Sequence, residues 1–151
     1  MRISLRLHLC LSIVLVSVPL ITAAEETKAG IVRYAPAELK WHAVPDVPVM
    51  QADGWRGAGG AHCDFQKFPK GFSVPLHTHS ADVSAVVVSG HFGSVEEGAA
   101  EKVLGPGSYL SIPADFKHTT KCRADAECIV FVCQPGPFDL KPVAGASTRK
   151  N

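Results

Sequence analysis

From Ala61 onward, apolar and polar residues alternate in short runs broken by turn residues. "HCDFQKF" ends at "PKG", "FSVPLHTH" at "SAD" and "VSAVVVS" at Gly90. "HFGSV", "EKVL" and "SYLSI" follow, separated by "EEGAA", "GPG" and "PAD", and "FKHTTKC" and "ECIVFVC" flank "RADA". Many short strands at close, even spacing predict an all-β antiparallel sandwich or barrel. "VSAVVVS" is apolar on both faces and predicts a central strand. Residues 25–60 are weakly patterned. "APAELKWHAVPDVPVM" carries three prolines and reads as extended chain with turns, and "ADGWRGAGGAH" reads as a glycine-rich loop. No stretch after Glu25 holds a helical period for three turns. The folded domain is therefore expected at 61–142, after an N-terminal extended segment (25–60) and before a small, polar, flexible tail (143–151).

The first 24 residues follow a different pattern. Arg2 and Arg6 precede an uncharged apolar run from Leu11 to Ile21. Thr22 and Ala24 then offer small residues ahead of Glu25 and Glu26. A basic start, a short apolar core and a small-residue exit describe a secretory signal peptide. The run is short for a span of ~20 residues, so cleavage near Ala24 is expected, leaving an exported, periplasmic or secreted chain with no membrane attachment; the alternative is an uncleaved anchor. The whole chain carries a formal net charge of +1, with 46% hydrophobic and 19% charged residues. That balance fits one globular domain and gives no electrostatic reason to bind nucleic acid. Of five cysteines, Cys63, Cys122, Cys128 and Cys133 remain after cleavage, in a compartment that permits disulfides.

"SVPLHTHSAD" places His77 and His79 one residue apart. Strand side chains alternate between faces, so both imidazoles point the same way. A third histidine from a neighbouring strand would complete a transition-metal site with open positions. His118 can converge on the same point, and it lies in a second segment of ordered spacing. Gly71 precedes His77 by five intervening residues, and Gly90 closes the segment. Gly107, Pro113, Asp115 and His118 then follow at intervals of five, one and two residues.

This pair of segments resembles the two-motif signature of the cupin superfamily across residues 60–135. The resemblance implies a single-domain double-stranded β-helix, or jelly-roll barrel, with a divalent transition metal (Fe, Zn, Mn or Ni) on His77, His79 and His118. The wording "LHTHSADVSAVVVSG…GPGSYLSIPADFKHTTKC…ECIVFVCQPGPFDLKPV" is similar to short exported bacterial cupins near the cupin domain of the ChrR anti-sigma factors. Cupins often pair through edge strands, so the resemblance also implies a homodimer.

Three slots depart from the pattern. The carboxylate slot of the first motif falls on Val83, the asparagine slot of the second on Cys122, and Asp115 replaces a glycine. Asp tolerates left-handed backbone better than most residues. Val83 leaves three histidines without a protein charge, as in some iron cupins that oxidise thiols or cleave diketones. Asp82 would supply the missing oxygen only if the turn shifted by one residue; otherwise it is a solvated turn residue. The alternative to a metal is a vestigial pocket holding water or an organic ligand.

His62 would contact the pocket if it faces inward, and otherwise lies on the surface; His42 and His91 read as exposed. Phe65, Phe68, Phe72 and Phe116 read as core, with Phe116 near enough to His118 to line the pocket, while Tyr109 and Gln66 are further sources of pocket polarity. If "RADAE" is a hairpin loop, Cys122 faces Cys128 within disulfide reach; the rival reading makes Cys122 a pocket thiol. Cys63 and Cys133 read as buried free thiols. Three function classes remain open: a metal-dependent binder of a small molecule, an Fe(II)-dependent dioxygenase of the three-histidine type, and a metal-free structural barrel.

Overall fold

Period-two alternation puts one apolar row of each strand inside a sandwich, and that alone builds most of the molecule. A computed structural model of the chain describes residues 30–144, so the expected signal peptide lies outside the described residues. The chain divides into two units, Met1–Arg33 and Tyr34–Asn151. Of the first, only 30–33 is described, and it carries no regular element.

The second unit holds eleven strands among the described residues: β1 (His42–Ala43), β2 (Met50–Arg56), β3 (His62–Phe68), β4 (Ser73–Thr78), β5 (Val83–Ser89), β6 (Phe92–Glu96), β7 (Lys102–Leu104), β8 (Tyr109–Ile112), β9 (His118–Cys122), β10 (Cys128–Gln134) and β11 (Lys141–Pro142). They form two antiparallel sheets ordered β1-β2-β3-β10-β5-β8 and β11-β4-β9-β6-β7. From β3 to β10 the chain changes sheet at every step except β6 to β7, which is the jelly-roll arrangement, and the expected all-β class holds. No helix among the described residues is long and apolar enough to cross a membrane.

The inner rows supply the core: Phe68, Val74, Ala85, Val87, Phe92, Val130 and Val132 are buried between the sheets. β5 is internal, as its composition predicted, between β10 and β8. Its second face is not covered, however: Val86 and Val88 are exposed, as are Trp55 and Tyr109. On that outer face Phe65 packs on Phe131, with ring centroids 4.8 Å apart, so Phe65 belongs to the outside of the sheet and not to the core.

The sheet also begins earlier than the sequence pattern suggests. β2 pairs with β3 along its length, with a register shift between Asp53 and Trp55. That bulge breaks the alternation by which β2 would have been seen. Gly54 sits in it, where an added Cβ would lie 2.5 Å from the Cys63 carbonyl oxygen.

Two disulfides cross the fold. Cys122 and Cys128 are bonded with Cα atoms 5.7 Å apart, which removes the pocket-thiol reading. "RADAE" is nevertheless not a hairpin loop. β9 and β10 lie in different sheets, so this bond staples one sheet to the other. Cys63 and Cys133 are bonded as well, at 4.1 Å between Cα atoms, which corrects the expectation of free thiols. They are register partners on adjacent strands β3 and β10, a relation invisible from the parity of Cys133 and Cys128.

Candidate metal centre

His77 lies near the end of β4 and is the direct cross-strand partner of His118 on β9. The β4–β9 ladder shifts register between Val74 and His77, around Pro75, which has no N–H to give a ladder. The freed Pro75 carbonyl accepts the His77 Nδ1 proton at 2.7 Å. His79 lies just beyond β4; its Nδ1 donates to the Asp139 carbonyl at 2.6 Å. His118 Nδ1 donates to the Phe116 carbonyl at 3.0 Å. Asp115, at φ +59°, makes the turn that starts β9, and its N–H donates to the His79 carbonyl at 2.8 Å.

With every Nδ1 committed as a donor, each ring keeps its proton there and its Nε2 lone pair free. The three rings converge, with centroids 4.2 Å apart for His77 and His118, 4.9 Å for His77 and His79, and 5.3 Å for His79 and His118. One ligand atom from each lies within 4.8 Å of the others. All three residues are buried, and His118 Nε2 has no hydrogen-bond partner. Three acceptors pointed at one another leave no donor among themselves, and a cation resolves that arrangement. The residues therefore fit a divalent transition metal. Burial pulls the His77 pKa down to about 4, aided by the neighbouring His118 and His79 and opposed by the Pro75 hydrogen bond. Burial also lowers that of His118. Both rings stay neutral near pH 7, the form that binds metal.

The histidines open into a cavity of about 90 Å³ between the sheets, otherwise walled mainly by Val, Phe, Leu and Ile side chains. Val83 is buried on this wall, where the sequence spacing put the carboxylate slot. No Asp, Glu, Lys or Arg side chain among the described residues lines it.

The chain matches the family described as a domain of unknown function (DUF4437) over residues 38–151. It belongs to that family. No curated protein matches its sequence. Among solved structures it is similar to the polyketide cyclase RemF from Streptomyces resistomycificus, with TM-score 0.64 and 18% identity over 76% of this chain and 86% of that one. It is also similar to KdgF from a Halomonas species, with TM-score 0.58 and 20% identity over 70% and 94%. A third likeness is to the complex of SigE with the anti-sigma ChrR from Rhodobacter sphaeroides, with TM-score 0.55 and 22% identity over 66% and 51%. Other solved structures of similar fold are described as cupins, and at such identities the likenesses speak for the cupin fold alone.

Other residues singled out by sequence fall in different places. Asp82 does not join the cupin histidines. It is exposed, and its carboxylate accepts the Ala114 N–H at 2.8 Å, bracing the turn that leads to His118. His62 is buried rather than on the surface, because even-numbered positions of β3 face inward. Its Nδ1 donates to the Gly60 carbonyl, and its Nε2 lies 3.7 Å from buried Asp64. Phe116 is 41% exposed; its carbonyl accepts from His118, and it lines a second cavity that His118 also borders. Gln66 faces the cavity, whereas Tyr109 sits on the outer face and pairs with Ser84. His42 and His91 are exposed.

Sequence reasoning missed Asp139, Phe138 and Gln134. Phe138 lines the cavity with its ring 6.1 Å from that of His79. β11 holds this segment over the site by pairing with Thr78 and His77 of β4.

Proposed function

We propose that this cupin is an exported protein that holds a divalent transition metal on Nε2 of His77, His79 and His118 and binds a small molecule on it, inside the barrel. The observation that carries this reading is the common orientation of the three rings, each with Nδ1 spent on a backbone carbonyl. A vestigial pocket has no need to fix three tautomers toward one point. The bound metal would act as a Lewis acid toward an anionic ligand group. The chain's own residues orient the rings, and the cavity between the sheets offers a mainly apolar wall with no Asp, Glu, Lys or Arg in its lining. Export is supported by the signal-like N-terminus and by two cystines, which persist in oxidising compartments. The uncovered valines of β5 favour pairing of two copies.

A second reading is an Fe(II)-dependent dioxygenase. Val83 in place of a carboxylate favours it, since a neutral three-histidine set resembles that of iron cupins acting on thiols or diketones. Metal analysis of protein purified from its native compartment tests the first reading: about one metal per chain is expected, lost when all three histidines become alanine. Equal metal content in both proteins would sink it. Oxygen uptake by the iron-loaded protein, with diketones and thiols, separates binder from oxygenase.

A further inference from the structure

Gln134 ends β10 with its side chain inside the barrel. The residue is 3% exposed, and neither its Oε1 nor its Nε2 has a hydrogen-bond partner. It pairs in register with His62 on β3. It lies one residue beyond the Cys133–Ser84 pair with β5, which sets it beside Val83. It lines the same cavity as the three histidines. A buried amide without partners carries a desolvation cost that nothing in the fold recovers. The other cavity-facing positions of β10, Val130 and Val132, are apolar, and the fold alone would favour a like residue here.

We propose that Gln134 is the group by which the cavity recognises its ligand, and that it reads a neutral group with an adjacent donor and acceptor, of the carboxamide or lactam type. The inference rests on the metal site proposed above. A metal ion would use only Oε1 and leave the NH₂ group unpaired. A carboxylate would satisfy the NH₂ group but set its charge against Oε1, with no cationic side chain in the lining to compensate. An amide-type group pairs with both atoms at once. Charge sets the other end of the ligand. A dication on three neutral imidazoles lacks negative charge, so the ligand binds the metal through an anionic end. The ligand class is a compact molecule with an anionic chelating end, an apolar body and a neutral amide-type group.

Cobalt(II)-loaded full-length protein tests this with three hydroxamates of similar size: the monohydroxamates of malonamide and of malonate, and isovalerohydroxamate. Binding is followed by the visible absorption of cobalt. The amide probe is expected to bind about tenfold more tightly than the other two, the effect of one well-formed buried hydrogen-bonding pair. Gln134→Leu and Gln134→Met should erase that preference while keeping the cobalt spectrum. Equal affinities in the wild type, binding of none of the probes, or an unchanged ranking in both variants would overturn the proposal. Loss of cobalt from both variants would also overturn it, by making Gln134 a metal ligand. Gln134→Met should melt no lower than the wild type. A fall of more than about 5 °C would show the amide to be held by the fold and would overturn it too. Failure of the wild type to take up cobalt, seen before any probe is added, is failure of the metal reading itself.

Discussion

His79 donates a hydrogen bond from Nδ1–H to the backbone carbonyl of Asp139, sixty residues further along the chain. The Asp139 carboxylate turns back and accepts both the amide and the hydroxyl of Ser80, and those bonds hold it below the usual carboxylate pKa range. The segment before β11 is thus pinned to the residue following the ligand it orients. Asp139→Ala keeps the carbonyl but releases the pin. Zinc affinity, measured by competition with a chelator, should fall about tenfold, the usual effect of losing support behind a metal-bound histidine. Unchanged affinity would show that β11 alone holds the segment.

Single substitutions of His77, His79 or His118 by Ala should each remove most of the bound metal. His91→Ala should not, because His91 is exposed and pairs only with Asp125 at the surface. Metal content after gel filtration distinguishes the two outcomes.

Val83→Glu places a carboxylate on the cavity wall at the vacated slot. Divalent-metal affinity should rise at least about tenfold, as one charge-assisted ligand is added. The metal-free variant should melt below the wild type, since it buries an unpaired acid. Titration calorimetry that finds no gain would mean that the slot does not face the metal.

The metal-free protein should lose stability in acid. The folded-state pKa of His77 is about 4 against an ordinary 6.5, and that of His118 is also lowered. Between those values the unfolded chain binds more protons than the folded one, so stability falls as pH drops. The contribution from His77 is intact above about pH 6.5 and is lost by about pH 4. A melting temperature independent of pH across that window would refute the burial of these rings.

Non-reducing peptide maps should contain linked peptides 63–133 and 122–128. The first bond spans 70 residues and the second six. Loop-closure entropy then assigns ~4 kcal/mol to the first and ~2 kcal/mol to the second. Replacing Cys63 and Cys133 by serine should lower the melting temperature more than replacing the other pair.

The sequence carried the ligands and most strands because both depend on local spacing. His77, His79 and His118 sit at fixed intervals from glycines, and β5 and β10 declare themselves by apolar runs. What stayed hidden depends on partners distant in sequence. β2 lost its alternation to the bulge at Gly54. Cys63 meets Cys133 only once β3 and β10 are neighbours. "RADAE" resembles a hairpin loop because short connections usually join adjacent strands, and here the chain changes sheets instead. Asp139 serves His79 through a carbonyl, which every residue possesses. Gln134 stands out only by being buried without a hydrogen-bond partner.

β10 sits between β3 and β5, so its neighbours in the sheet cannot close on each other until the last long strand has left the ribosome. His79 likewise waits for residue 139. Contacts of such high sequence separation make folding slow. A chain that folds late remains threadable while it is being made, the condition that the proposed export would demand. The same wait delays assembly of the histidine site until synthesis is nearly over.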